Sequence, residues 1–277
     1  MDAILDHALL ASWIGRAERQ TDILSPTVVR GLAALVQPKP VRSVPLTVHW
    51  CLAPAIAGLD ETGADGHPRR GGFLPPVPLP KRMWAGGEVM FDGEICVGDA
   101  IERRSRIRDV AFKQGRSGPL CLVAVDHEIW REARCLVRER QDIVYLGPGP
   151  LGAAPAAPPP VPDVRSDVAV TPELLFRYSA LTANSHRIHY DRHYAQEREA
   201  YSGLVVHGPL QAALLANFAE ETLGASIASF SYRAISPLTD GAPFALCLSR
   251  REGRSADCWT MAADGRVAMK ALAVWRE

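Results

Sequence analysis

A histidine, an amide and a helix start lie close together in sequence between residues 178 and 209. Residues 178–189 read YSALTANSHRIH, and His207-Gly208-Pro209 follow at the beginning of an apolar stretch. Adding water to an activated double bond needs a base for the water, a proton for the α-carbon and donors for the enolate oxygen. These residue types can supply those parts, so the segment indicates an enzyme.

Each of three residues has a chemical role that fits its type. His189 is the predicted base, because imidazole alone has an unperturbed pKa near neutrality. Gly208 begins a predicted helix, where unpaired N–H groups and the positive end of the dipole attract a negative oxygen, and glycine allows close approach. Asn184 can hold a water but cannot exchange protons. The plain alternatives, packing for His189 and turns for the other two, remain open.

A spacer divides the chain into two predicted domains that would position these residues. Residues 147–163, GPGPLGAAPAAPPPVPD, contain almost no side chain able to anchor a core and predict an extended linker. The predicted domains are residues 1–146 and 164–277, each long enough for its own core.

Both domains show the same order, a helix followed by strands. In the first, Ser25-Pro26 opens a helix through Val36, before strands at 87–91, 100–113 and 119–130. In the second, Thr171 caps a short helix and Pro209 opens another through about Thr222 with one buried face. Strands follow at roughly 226–234, 243–250, 256–263 and 267–275. One helix against a curved antiparallel sheet, made twice, is the simplest architecture.

Composition restricts the partners and the compartment. The 31 basic and 31 acidic side chains cancel, so nucleic acid and membrane surfaces are not expected partners, and no apolar run approaches the roughly 18 residues of a membrane span. Six cysteines without a C-x-x-C pair indicate reduced thiols. The beginning of the sequence has no basic signal region, so a cytoplasmic protein is expected.

The motifs of both halves resemble one family. FRYSALTANSHRIHYDRHYA and VVHGPLQAALLANF are similar to the hydratase motif of MaoC-like hot-dog proteins, roughly F-x-x-L-S-G-D-x-N-P-I-H-x-D. GADGHPRRGGFLPPVPLPKRMWAGGEVMF and KQGRSGPL resemble the first half of double hot-dog hydratases, which include hydroxyacyl-thioester dehydratase type 2, mesaconyl-C4-CoA hydratase and itaconyl-CoA hydratase.

The resemblance implies an α+β double hot-dog, two antiparallel sheets each wrapped around a central helix. It also implies a degenerate first half without an N-x-H-R-I-H counterpart, and therefore one active site per chain. His189 matches the catalytic histidine of the family, and Gly208 matches the glycine whose amide supports the thioester carbonyl. Asn184 stands where most members carry a catalytic aspartate. Either His189 is both base and acid while Asn184 positions water, or another carboxylate takes part, Asp191 being the nearest in sequence.

The spacing of His186, His189, Asp191 and His193 could suggest a metal site. Hydration of an enoyl thioester needs no metal, however, and the resembling family uses none. We therefore expect neither a metal nor a cofactor, with CoA present only as part of the substrate.

Cationic and aromatic side chains are the candidates for substrate binding. CoA carries several phosphates, so a local basic surface is expected despite the neutral total. Alternate residues of the basic strand 101–116 would share one face, although such a run is more often a solvated face. Arg70 and Arg82 could instead meet phosphate or a second acyl carboxylate. The full set is Arg70, Arg82, Trp84, Arg106, Lys113, Arg116 and His207.

The expected activity is hydration of a short, branched, dicarboxylic enoyl-CoA. The resemblance favours itaconyl-CoA, hydrated to citramalyl-CoA, or mesaconyl-C4-CoA. The alternatives are a 3-hydroxyacyl-thioester dehydratase of fatty acid metabolism, a noncatalytic acyl-CoA binding protein, and a thioesterase. A homodimer is expected.

Overall fold

A computed structural model describes residues 6–36, 42–115, 118–148 and 160–276. The helices are α1 (His7–Ala11), α2 (Pro26–Val36), α3 (Pro172–Leu181), α4 (Arg192–Glu197) and α5 (Gly208–Leu223). The strands are β1 (Ala17–Ile23), β2 (Lys81–Phe91), β3 (Ala100–Gly115), β4 (Gly118–Arg131), β5 (Arg134–Leu146), β6 (Val164–Val168), β7 (Ile227–Ala234), β8 (Phe244–Arg250), β9 (Ser255–Ala262) and β10 (Val267–Trp275). Residues 149–159 of the predicted linker lie outside the described residues, and the domain boundaries stay a prediction.

The strands form one ten-stranded antiparallel sheet made of two equivalent halves. Its order is β1-β3-β4-β5-β2-β7-β10-β9-β8-β6. If the five strands of each half are numbered along the chain, both halves have the order 1-3-4-5-2 from the outer edge of the sheet to its centre. The halves join where β2 pairs with β7, with Val89 opposite Phe230. This arrangement confirms the α+β double hot-dog.

Helix α5 lies in the concave face of the second half. The sequence predicts one buried side, but the helix is buried around most of its circumference, including the polar Gln211 and Glu220. The curved sheet covers it from several directions, since α5 packs against β7, β8, β9, β10 and β2. It ends at Gly224 in the left-handed conformation, φ 63°. No helix within the described ranges is long and apolar enough to cross a bilayer.

Within its described residues, the first half carries no comparable helix across its own strands. Its helix α2 opens as predicted, with the Ser25 hydroxyl accepting from the Val28 N–H at 3.2 Å, and packs mainly against α3, α5 and the turn 48–51. The two central helices implied by the resemblance are therefore unequal. The difference leaves room over the first half-sheet for the segment 46–53.

A buried carboxylate holds this segment over the first half-sheet. The Trp50 indole N–H donates to Glu139 Oε1 at 2.9 Å, and His49 Nε2 lies 3.5 Å from Glu139 Oε2. Arg103 donates from Nη1 to the Ala53 carbonyl oxygen at 3.2 Å. Burial alone would raise the pKa of the Glu139 carboxyl, but the hydrogen bond and charge of His49, with His127, lower it to about 2.

The strand predictions are confirmed for β2, β3 and β4 and for β7 to β10, whereas β1, β5 and β6 were not predicted. Strands β1 and β6 are the two outermost strands of the sheet. Both consist mainly of polar residues and contain no buried position, as is typical of sheet edges. The six cysteines are free in the structure, and their reduced state stays a prediction.

Replacing Glu139 by glutamine should destabilise the fold. The change removes one of the two carboxylate charges, with that of Glu18, that act on the buried Arg103, which we expect to lower the free energy of unfolding by about 3 kcal/mol at pH 7. Because the pKa of Glu139 is depressed in the folded state, its contribution is present above the unfolded value of 4.5 and is lost as pH falls towards 2. Denaturant unfolding between pH 7 and pH 3 checks this.

The matched control is Glu88→Gln, which removes an exposed carboxylate from the neighbouring strand β2. The difference between the two variants should shrink towards pH 3. A Glu139→Gln protein as stable as the control at pH 7 would show that the buried charge does not hold the segment 46–53.

Candidate active site

His189 has the geometry of a neutral base. It ends the 3-10 turn Arg187–His189 and is 6% exposed. Its Nδ1 lies 2.7 Å from the Val205 carbonyl oxygen, which can only accept, so Nδ1 carries the proton and Nε2 keeps the lone pair. Burial, with the charges of His207 and His186, holds the pKa of His189 well below its usual value. The imidazole is therefore neutral and ready to accept a proton at pH 7.

His207 supports His189 from one side. The two rings stack with centroids 3.6 Å apart, and His207 Nε2 lies 2.8 Å from the Ser179 hydroxyl. His207 is fully buried, and burial, with the charge of His186, lowers its pKa to about 3. The residue predicted to bind substrate thus lies against the predicted base, where it fixes the plane of that ring.

The N-terminus of α5 meets the first half of the chain at Gly208. A Cβ on Gly208 would lie 3.6 Å from the Trp84 carbonyl oxygen and 3.8 Å from the Trp84 ring. Trp84 in turn contacts Trp50 and Tyr232, with ring centroids 5.1 and 5.2 Å away. The predicted oxyanion donor is therefore bordered by an aromatic wall, in which the Trp84 indole nitrogen and the Tyr232 hydroxyl are buried without a hydrogen-bond partner.

A loop of the first half clamps the segment that contains Asn184. Gly66 has φ 88°, and any side chain there would collide with the Ser185 carbonyl oxygen. The Arg187 N–H donates to the Asp65 carbonyl oxygen at 2.9 Å. Within this clamp the Asn184 amide oxygen accepts from the His186 N–H at 3.1 Å. Asn184 thus shapes the turn, and its predicted role with water remains a prediction.

Four side chains from both halves form a polar cluster next to His189. His67 Nδ1 lies 3.3 Å from Asp65 Oδ2, and His186 Nε2 lies 3.3 Å from Glu199 Oε1. The His67 and His186 rings have centroids 4.2 Å apart, and the His186 ring meets the His189 ring edge-on at 5.6 Å. The cluster is therefore continuous with the predicted base.

Arg82 places a positive charge beside this cluster. Burial lowers the pKa of His67 to about 3, and the charges of Arg82 and His186 add to that effect against the bond to Asp65. Burial alone would raise the pKa of Asp65, but the bond to His67 and the charge of Arg82 hold it below its usual range. Arg82 is thus a half-buried cation two residues before Trp84.

Asp191, the predicted auxiliary carboxylate, has a structural position. Its Oδ1 accepts from the Tyr194 N–H at 3.0 Å and caps α4. Its Oδ2 accepts from Arg187 Nη2 at 2.7 Å. The backbone bond first, and then the Arg187 bond, lower the pKa of this carboxyl. Both oxygens are therefore engaged in holding the local fold.

The remaining predicted binding residues lie apart from this cluster. The Arg70 guanidinium donates to the carbonyl oxygens of Val77, Leu79 and Pro80, so it holds backbone. Arg106 is exposed on β3. Lys113 lines a groove of about 770 Å³ whose lining includes neither His189 nor Gly208. Arg116 lies outside the described residues, and a CoA-binding role for these residues stays a prediction.

Three members of the cluster were not singled out from the sequence. Asp65 and His67 belong to the sequence DGHPRR. This sequence resembles the first half of double hot-dog hydratases, but the spacing of its residues does not by itself indicate a catalytic or binding role. Glu199 belongs to no motif. The sequence feature that could have indicated Asp65 is the glycine that follows it, because Gly66 must approach the Ser185 backbone closely.

Asp65, His67 and His186 also have the spacing of a metal site. Among the described residues, this is the one group of its kind, with ligand atoms within 4.8 Å of one another. Hydrogen bonds account for the spacing, since His67 bonds Asp65 and His186 bonds Glu199. The positive charge of Arg82 beside them disfavours a bound cation. That no metal takes part stays a prediction.

A curved sheet wrapped around a helix, with a neutral imidazole next to the helix N-terminus, is the arrangement expected of a hot-dog enzyme that stabilises an oxyanion. Comparison with known proteins identifies the family. Residues 47–240 match the family model described as hydroxyacyl-thioester dehydratase type 2. The chain belongs to this family and is a hydro-lyase.

Individual proteins agree with this assignment. The chain is 43% identical over 268 residues to mesaconyl-C4-CoA hydratase of Chloroflexus aurantiacus, an alignment that covers 94% of this chain and 95% of that protein. A MaoC-like dehydratase structure from Phytophthora capsici superposes with TM-score 0.71 at 12% identity, covering 99% of both chains. A double hot-dog protein of Mycobacterium tuberculosis superposes with TM-score 0.57 at 14% identity, covering 95% of this chain and 96% of that one. The two structures show the fold.

Removal of metal ions should leave the activity intact. We expect dialysis against EDTA to preserve turnover of an enoyl thioester, because the bonds within Asp65, His67, His186 and Glu199 already satisfy these side chains. Turnover before and after dialysis, with the unfolding midpoint as control, measures this. Loss of turnover that zinc restores, without a change in the midpoint, would instead make the three residues metal ligands.

Proposed function

We propose that the protein is an enoyl-CoA hydratase acting on a short dicarboxylic acyl-CoA. The observation that carries the proposal is the neutral His189, whose tautomer the Val205 carbonyl fixes at 2.7 Å, in a chain that also begins α5 with Gly208. The mesaconyl-C4-CoA hydratase relative supports a CoA ester and, more specifically, mesaconyl-C4-CoA. Itaconyl-CoA is the second substrate by resemblance.

The reaction follows from these groups. His189 Nε2 takes a proton from water as the water oxygen bonds to the β-carbon. The electron pair of the double bond moves towards the thioester oxygen, where the Gly208 N–H and the positive end of the α5 dipole stabilise the enolate. His189 then gives the proton that it took from water to the α-carbon, and one water has been added. The reverse sequence is the dehydration of a 3-hydroxyacyl thioester.

Arg82 is proposed to bind the second carboxylate of the acyl group. It lies on β2 two residues before Trp84, which contacts Gly208, and its charge acts on Asp65 and His67. The aromatic wall of Trp84, Trp50 and Tyr232 limits the length of the acyl chain next to it. A half-buried guanidinium beside an aromatic wall favours a compact anionic acyl group over a long alkyl chain.

A comparison of substrates tests the activity. We expect mesaconyl-C4-CoA or itaconyl-CoA to be hydrated at least about 100-fold faster, in kcat/KM, than crotonyl-CoA, because Arg82 recognises the second carboxylate. His189→Ala should lose all turnover, because no other base replaces it. Faster hydration of longer acyl chains would favour the fatty-acyl dehydratase, free CoA release a thioesterase, and binding without turnover a noncatalytic protein.

Substitution of Arg82 tests the substrate class. Arg82→Ala should lower kcat/KM for mesaconyl-C4-CoA about 100-fold, because a charge-assisted hydrogen bond to the carboxylate is lost, while crotonyl-CoA turnover should change little. Arg177→Ala, which removes an exposed arginine from α3, is the control for both substrates. An equal loss on both substrates would place Arg82 in the general architecture of the site rather than at the carboxylate.

A further inference from the structure

The polar cluster contains an imidazole–carboxylate pair that the reaction above leaves unused. His186 and Glu199 are 3.3 Å apart, between Nε2 and Oε1. Both are buried, at 5% and 9% exposure. The His186 ring meets the His189 ring edge-on, with an interplanar angle of 89° and centroids 5.6 Å apart. The pair is thus in contact with the ring of the proposed base through His186.

The chain holds Glu199 in this buried position by several contacts. The buried Lys81 ammonium donates to the Glu199 carbonyl oxygen at 2.9 Å. The next residue, Ala200, adopts a left-handed conformation with φ 59°. A buried carboxylate is costly unless it is paired. Both the backbone and the pairing therefore direct the Glu199 carboxylate towards His186.

The reaction creates a positive charge on His189 that the His186–Glu199 pair can stabilise. When His189 takes the water proton, an imidazolium forms in a site whose burial holds the pKa of His189 well below its usual value. Asn184 cannot accept a proton, and both oxygens of Asp191 are engaged by Tyr194 and Arg187. The Val205 carbonyl oxygen, which accepts from Nδ1, is neutral, and neither Asn184 nor Asp191 offers a free negative charge to the imidazolium.

The other carboxylate of the cluster is less suited to that task. Asp65 is bonded to His67, and the charge of Arg82 acts on it. The His67 ring packs against His186 at 4.2 Å, so it restricts the rotation of the His186 ring. Glu199 is therefore the carboxylate bonded directly to the imidazole beside His189.

We propose that Glu199, acting through His186, replaces the carboxylate that the resembling hydratases carry at position 184. This inference rests on the proposed hydratase function. While the enolate exists, the proton that His189 takes from water stays on Nε2 of His189, and the negative charge of Glu199, bonded to His186 beside that ring, stabilises the imidazolium. His189 then gives this proton to the α-carbon, so no proton is gained or lost and one water is consumed. His186 and Glu199 are positioning residues, since they act through His189.

Glutamine at position 199 tests the charge while keeping the shape. Glu199→Gln should lower kcat about 100-fold with little change in KM, because it removes stabilisation of the imidazolium and not substrate contacts. The matched control is Glu197→Gln, which removes an exposed carboxylate from the same segment and should change neither constant. Wild-type hydration measured in parallel separates this test from the proposed function, because an inactive wild-type protein would contradict the hydratase function rather than the role of Glu199.

Rescue distinguishes a catalytic contribution from a structural one. Adding Asn184→Asp to Glu199→Gln should restore at least about tenfold of the lost kcat, because a carboxylate returns near His189. His186→Gln, with and without Asn184→Asp, repeats the test if Glu199→Gln does not fold. An active wild-type protein whose Glu199→Gln variant keeps its kcat, or folded variants that Asn184→Asp does not improve, would overturn the inference.

Discussion

The pairing of β2 with β7 is the contact on which the rest of the structure depends. It joins two half-sheets at their inner strands and brings Trp84 of β2 to the first residue of α5. Two consecutive glycines make the approach of the strands possible. A Cβ on Gly86 would lie 2.6 Å from the Tyr232 carbonyl oxygen, and one on Gly87 would collide with the Arg140 backbone and the Tyr232 ring. The site therefore exists only because this seam is closely packed.

Burial sets the chemistry of the groups around the seam. The same low-polarity surroundings that keep His189 and His207 neutral make every unpaired polar atom expensive. The structure responds with pairs, such as His186 with Glu199 and His49 with Glu139. In such an environment a hydrogen bond between two polar groups is stronger, and leaving a polar group without a partner costs more. This explains why paired groups line both the site and the first half-sheet.

The sequence was sufficient to predict those elements whose bounds depend on hydrophobic periodicity and on capping residues. Thr171 caps α3 as predicted, accepting from the Leu174 N–H at 3.2 Å. It was insufficient for β5, whose inward residues include the charged Glu139 rather than an apolar run. The site shows the same division: His189 and Gly208 were recognisable from a local motif, while the approach of Asp65 to Arg187 depends on tertiary structure that no local spacing encodes.

The matching strand order of the two halves makes the chain an internal pseudo-dimer. A symmetric dimer of identical subunits must use one surface for both roles at its interface, so any change made to improve one active site alters its symmetry mate. Fusion into a single chain removes that restriction. The first half was thus free to lose its long central helix and to gain buried polar groups under the segment 46–53. The second half kept α5 and the imidazole of His189.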